Sequence, residues 1–447
     1  MIFRRNKEGA ESPAEAQAVT TEPSLVVVAP KELFNNEEVL SAIAQHAEGL
    51  KIVPAQIETL QPAVLKSARA VLSVFQDNAA LDKVLELLLA ERNARKDGLP
   101  VLIVAAELGK LTQLGHWLYL AGSQERLNGV RLIVASEAGE IAAKLDGKFA
   151  PVTEPNVIKM PSSPEVECTD FKYYFCITPE LRSLVRTMRE LAENSVTRVY
   201  LLGGPGTGKT TIAYYYFLCR GKGNFVTVNL TAESTGDKES MKSLLCGHVT
   251  GAIAGGGARE GALAHAGEGV AFLDESHGVT GTVMQVLMEV LDSGQFLPFG
   301  AVKKRALQCA VIFASNRSWE ALRNLMNLDE HARLGATIVR ITDLAVREED
   351  MIAVLSTTLA KFSKQCVTWK APEGLTAAAW KAYKDCKWHG NTRTLIRVTE
   401  ASSISYATKK QQTGLIDAPH VNEALSLWEP TEHDSLQVYT SFTTSEG

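Results

Sequence analysis

The sequence has no organised cysteine pattern. Seven cysteines (Cys168, Cys176, Cys219, Cys246, Cys309, Cys366 and Cys386) are scattered through 447 residues, and none forms a CxxC or a Cys/His cluster with zinc spacing. An odd number at irregular spacing argues against a disulfide framework and for reduced thiols in a cytoplasm. Long apolar runs are missing too: none reaches the roughly eighteen residues of a transmembrane helix. The basic start MIFRRNKEGAESPAEAQ is followed by no apolar stretch, so a secretory signal is not expected. Neither sign of charge dominates. Lys and Arg number 46 against 51 Asp and Glu, a formal charge of -5, so nothing global draws the chain to nucleic acid or an anionic membrane. Internal repeats are absent. What is present, 45% hydrophobic and 22% charged residues, is a soluble globular composition. The length calls for two or three domains.

Residues 1–23, rich in Ala, Glu, Ser and Thr, are expected to be a disordered tail. From Ser24 the β-branched runs SLVVVAP, ARAVLSVF, LPVLIVAA and VRLIVAS alternate with helical stretches such as LDKVLELLLAERNARKDG, with a glycine stop at Gly98. Continuous apolar strands between helices predict an α/β domain over 24–150, a parallel sheet covered on both faces. Its size and order resemble a response-regulator receiver domain. That resemblance implies an acid pair after the first strand and a phosphorylatable Asp after the third. The first strand here ends VVVAP, and Asp77 in SVFQDN is the sole candidate. The competing reading is a turn aspartate in a degenerate regulatory or docking domain. Residues 151–177, proline-rich, read as a linker. Thr178 as N-cap, Pro179 and Glu180 then open a helix. A second α/β domain is expected over 178–350, a helical lid over 351–428, and a tail over 429–447.

VYLLGGPGTGKTT carries the chemistry. An apolar strand runs into Gly203, Gly204, Pro205, Gly206, Thr207, Gly208, Lys209, Thr210 and Thr211, and an apolar helix follows. This matches GxxxxGK(S/T) in its strand–loop–helix context. Glycines let backbone N–H groups curl round phosphates, Lys209 reaches the β/γ-phosphates, and the Thr210 hydroxyl ligates magnesium. GVAFLDE supplies Asp274 for the magnesium shell and Glu275 to polarise the attacking water. Alone, an acid pair at a strand end is also a common solvated turn. CAVIFASNRS ends a third strand at Asn316, where an amide beside the γ-phosphate can position the water; a plain turn residue is the competing reading. HARLGATIVRI and WHGNTRTL offer Arg333 and Arg393. The order of these signals is the one a ring ATPase needs.

Together they resemble AAA+ ATPases, specifically the central domain of sigma-54-dependent enhancer-binding proteins, over roughly Pro179 to Thr408. VTVNLTAES is similar to the strand carrying a switch residue, which makes Asn229 the restraint on the catalytic glutamate. EGALAHAGEGVAFLDE, MQVLMEVLDSGQFLPFG and LAVREED resemble the family's following segments. WHGNTRTLIRVTE resembles its lid motif and makes Arg393 the sensor arginine. LLCGHVTGAIAGG resembles the segment of the GAFTGA surface loop, so Gly251, Ala252, Ile253, Ala254, Gly255 and Gly256 form the partner loop.

The resemblance implies ATP and Mg2+ as cofactors, a homo-oligomeric ring, a hexamer, with Arg333 reaching a neighbour's site, and a mobile pore loop that moves on phosphate loss. Two family features differ. Ile253, Ala254 and Gly256 stand where the family has its aromatic, threonine and last alanine, so an unidentified protein substrate rather than sigma-54 is the expected partner. Of the family's two boundary arginines, Arg333 matches the second and Asn327 takes the first position, with Arg323 nearby. The chain finishes soon after the lid, so direct DNA binding is not expected. Lys303, Lys304 and Arg305 in FGAVKKRALQ read either as a solvated hairpin or as a contact to an acidic peptide or nucleic-acid backbone. The leading reading is an ATP-hydrolysing remodeller of a protein partner. Its alternatives are a sigma-54 activator without its own DNA-binding domain, and an ATP-gated scaffold without turnover.

Overall fold

Five β-branched runs build the first sheet: β1 (Ser24–Val28), β2 (Lys51–Ala55), β3 (Ala68–Val74), β4 (Val101–Glu107) and β5 (Val130–Ala135). All pair in parallel, in the order β2-β1-β3-β4-β5. The structure, a computed structural model, describes residues 23–90, 100–123, 126–137, 139–152, 154–160, 173–233, 238–252, 257–278, 281–325, 336–409 and 413–429. Gly98, the loop residues Ile253 to Gly256, Asn327, Arg333 and all but the innermost residue of each expected tail lie outside them. Strand β2 escapes a periodicity reading because Pro54 interrupts it. It occupies the sheet edge, where a missing N–H is tolerated.

Alternation along the strands sends side chains to two cores. Leu25, Val27, Leu72 and Ile103 pack on one face against Ile43 and Ile141. Val26, Val71, Val104 and Val134 pack on the other. That second core does not end at the sheet. It runs without a break into Met351, Leu355, Leu359, Trp380, Leu395 and Val421 of the C-terminal helices. The bridging elements are α3 (Leu111–Ser123) and α8 (Glu348–Gln365). They cross so closely that a Cβ on Gly115 would stand 1.9 Å from the carbonyl oxygen of Ser356. Thr112 Oγ1 donates to Pro372 O at 2.7 Å across the same seam, and His116 Nε2 meets Ser363 Oγ at 3.0 Å.

At the C-terminal edge of the first sheet, Asp77 Oδ1 accepts the Ala80 N–H at 2.8 Å and caps the helix α2 (Asn78–Ala90). Among the described residues no group of three His, Cys, Asp or Glu is placed to hold a metal.

The segment read as a linker contains an antiparallel pair, Val157–Lys159 with Tyr173–Phe175. Asn156 anchors it, donating to the Leu127 and Val130 carbonyls at 2.8 and 2.7 Å. Helix α4 (Pro179–Glu193) follows. Thr178 occupies its N-cap position, but its hydroxyl does not cap the helix; it donates to Asp350 instead.

The second sheet comprises β6 (Arg198–Leu202), β7 (Phe225–Asn229), β8 (Val270–Asp274), β9 (Ala310–Ser315) and β10 (Thr337–Arg340). It is also parallel, in the order β10-β6-β9-β8-β7. Tyr200, Ala271 and Leu273 face one core, and Val199, Leu201 and Phe272 the other. Helices cover both faces, as continuous apolar strands require. The C-terminal segment consists of α8, α9 (Ala377–Asp385), α10 (Asn391–Ala407) and α11 (Ala418–Trp428), with one short parallel bridge, Gly374–Leu375 to Leu415–Ile416. The described residues contain no helix long and apolar enough to cross a membrane.

Candidate nucleotide-binding site

Ligands of parallel α/β sheets bind beyond the carboxyl ends of the strands, and here the ladder registers align those ends. Ser315 lies opposite Leu202, and Asp274 opposite Asn229. Asn316 is the first residue past β9. The loop from Gly203 to Gly208 joins β6 to α5 (Lys209–Arg220), and the Gly203 N–H is tied to the Ser315 carbonyl at 3.2 Å. Gly206 and Gly208 have φ of +72° and +98°, the left-handed region that lets successive N–H groups face one hollow. Thr207 Oγ1 donates to the Gly204 carbonyl at 2.9 Å and stiffens the turn.

Lys209 is buried, and its Nζ donates to the Gly203 and Gly204 carbonyls, each at 3.0 Å. Burial pushes the ammonium's pKa down, against the charges of Asp274 and Glu275, which raise it. Glu275 sits at φ +52° with its N–H held by Asp274 Oδ1 at 2.9 Å. Burial, then the Asp274 charge, pushes its carboxyl pKa up; Lys209 and Arg393 oppose. Arg393 at the start of α10 acts electrostatically on both Lys209 and Glu275. Asn229 Oδ1 accepts the Thr231 N–H at 3.1 Å. The structure therefore gathers Lys209, Asp274, Glu275, Asn229, Asn316 and Arg393 at one edge, with Thr210 and Thr211 in the first turn of α5.

Four participants escape the motif reading. His277 Nδ1 lies 3.3 Å from Glu275 Oε2 and 3.4 Å from Ser315 Oγ. Burial, with the charges of Arg317 and Lys209, pushes its pKa down, which favours a neutral imidazole at pH 7. Should Glu275 act as a general base, His277→Ala is expected to slow turnover about fivefold with nucleotide binding intact, because the carboxylate loses a polar neighbour 3.3 Å away. Unchanged turnover in a phosphate-release assay would refute that role. Asn391 ties the helical segment to the loop, with Nδ2 donating to Pro205 O at 3.1 Å and Oδ1 accepting Leu344 N–H at 2.7 Å. Tyr174 and Arg347 flank the loop from the other side. Asn391 sits within the quoted WHGN; Tyr174 and Arg347 have no local signal.

The stem of the partner loop is built by pairing. Gly247–His248 runs antiparallel to Arg259–Glu260, and Val249 N–H donates to Phe299 O at 3.1 Å. Gly251 is exposed with φ +83°, and Ala252 N–H closes a turn on Val249 O. Phe299 leads into the hairpin Gln295–Phe296 with Arg305–Ala306, whose tip residue Val302 is 97% exposed beside Lys303 and Lys304.

Residues 175–337 match the family model of the Sigma-54 interaction domain. Curated relatives include two regulators. The Nif-specific regulatory protein of Azotobacter vinelandii is 29% identical over 232 residues, 51% of this chain and 43% of that protein. The DNA-binding transcriptional regulator NtrC of Bradyrhizobium sp. is 26% identical over 245 residues, 54% of this chain and 50% of that protein. The chain thus spans about half the length of such relatives. Among solved structures, NtrX from Brucella abortus aligns over 94% of this chain and 89% of its own, at 19% identity and a TM-score of 0.48.

Proposed function

We propose that this chain is an ATP-hydrolysing regulator of the sigma-54 type, acting on its partner through the loop that begins at Val249. The supporting observation is the convergence of Lys209, Asp274, Glu275 and Arg393 on one glycine loop within a segment matching the Sigma-54 interaction domain. The donor set fits a triphosphate and a hard cation: a buried ammonium held by backbone carbonyls, a glycine-rich loop opening a helix, a hydroxyl and two carboxylates.

ATP with Mg2+ supplies, when bound, the transferable phosphoryl group and a neutralising cation. Lys209 and the loop N–H groups hold the phosphates, while Thr210 and Asp274 are the residues to hold the cation. Glu275 takes a proton from the attacking water, with His277 and Asn229 beside it, and Asn316 orients that water. Arg393 couples the nucleotide to the helical segment. Arg333, contributed by a neighbouring copy in a closed ring, stabilises charge on the transferring group.

The match to the Sigma-54 interaction domain favours sigma-54 as partner over an unrelated protein substrate. The general remodeller remains the second reading because Ile253, Ala254 and Gly256 replace the family's loop residues. Retention of purified sigma-54 on the immobilised protein with a transition-state nucleotide analogue separates the two. Capture supports the first reading, and no capture alongside intact ATPase activity supports the second.

A further inference from the structure

We propose that Tyr174 is a positioning residue of the phosphate loop, aiming the Gly208 N–H into the hollow and tying the loop to the first turn of α8. This rests on the reading of the Gly203–Thr210 loop as a nucleotide site.

Tyr174 lies on the short strand Tyr173–Phe175, far from the loop in sequence. Its Oη donates to the Thr207 carbonyl. Its ring rests on Gly208, where a Cβ would stand 2.3 Å from ring carbon Cε2. In a trans peptide the carbonyl oxygen and the following N–H point in opposite directions. Holding the Thr207 carbonyl outward on Tyr174 therefore directs the Gly208 N–H to the opposite side, where the loop curls. Burial pushes the phenol pKa up to about 12, so the hydroxyl keeps the proton it donates.

The hydroxyl is itself fixed. Arg347 NH1 donates to Tyr174 Oη at 3.1 Å, with its guanidinium 5.8 Å from the ring centroid. Arg347 is buried, its Nε 3.3 Å from Asp350 Oδ2. Asp350, also buried, accepts the Ile177 N–H at 2.6 Å and the Thr178 hydroxyl. The neighbouring Glu349 accepts Arg131 NH2 at 2.6 Å and the Leu132 N–H at 2.9 Å, both from β5 of the first sheet, together with Lys148. One turn of α8 thus holds the first sheet with Glu349 and, through Asp350 and Arg347, the tyrosine that holds the loop. Coupling of this kind needs a contiguous set of packed and hydrogen-bonded groups, and each link here is a direct contact.

The test is Tyr174→Phe, which keeps the ring and removes the hydroxyl, with Tyr216→Phe as control. Tyr216 is a buried tyrosine whose Oη likewise donates to a backbone carbonyl, that of Val196, away from the loop. Binding of a fluorescent ATP analogue and of inorganic tripolyphosphate is measured for the full chain, with melting temperatures alongside. The expected result is about tenfold weaker binding of both ligands by Tyr174→Phe, the worth of one well-placed hydrogen bond. Tyr216→Phe is expected to bind as wild type. Equal binding by Tyr174→Phe and wild type, or equal weakening in both variants, overturns the positioning role while leaving the nucleotide reading intact. A wild type that binds neither ligand overturns that reading and this inference with it.

Discussion

Glu275→Gln is expected to bind ATP as wild type does and to release phosphate about 10² to 10⁴ times more slowly, the usual contribution of a positioned general base. The amide keeps the side chain's size and its place at φ +52°. What it loses is the ability to accept a proton. The same change removes the negative charge acting on Lys209, whose pKa burial already lowers. Nucleotide affinity is therefore the control that separates chemistry from binding. Steady-state phosphate release and analogue binding on both proteins check it. If wild type and variant are equally silent, the hydrolytic reading fails and the scaffold reading takes its place. A variant as active as wild type instead removes Glu275 from the mechanism.

Gly115→Leu is expected to carry the second large effect, this time on stability. The contact at Gly115 is backbone oxygen, not the end of a flexible side chain, so α3 cannot accept even a methyl without moving off α8. Overpacking of a core commonly costs ~1–3 kcal/mol, and a rigid neighbour places this site at or above about 3 kcal/mol. The seam would part across Thr112–Pro372 and His116–Ser363 as well. Thermal unfolding together with hydrogen exchange over Leu111–Ser123 measures it. A variant that melts with wild type and protects those amides equally would disprove the close crossing.

The parts of the site written in contiguous residues were legible in advance. GGPGTGKT, the Asp274–Glu275 pair and WHGNTR each need a fixed spacing along the chain, because one loop or one strand end must present them together. Residues that reach the loop from elsewhere leave no such trace. Tyr174 and Arg347 are brought to Thr207 by tertiary packing alone, and His277 follows Glu275 without belonging to a motif. The same contrast holds for the fold. Most strands of both sheets announce themselves in apolar runs; the proline-interrupted edge strand β2 and the largely exposed edge strand β10 do not, and β7 was legible only through the family resemblance. The union of the first sheet with the helices after Arg347 does not announce itself either, since any amphipathic helix face is open to many partners. One hint was present: a glycine in the middle of α3 costs roughly 0.5–1 kcal/mol against alanine, a cost that the tight crossing at Ser356 explains.

The unbroken core between the first sheet and α8 has a mechanical corollary. Asn391 grips the phosphate loop at one end of this assembly, and β2 forms the free rim at the other. Because the core is continuous, a displacement of β2 relative to the phosphate loop would load the packing of α3 against α8.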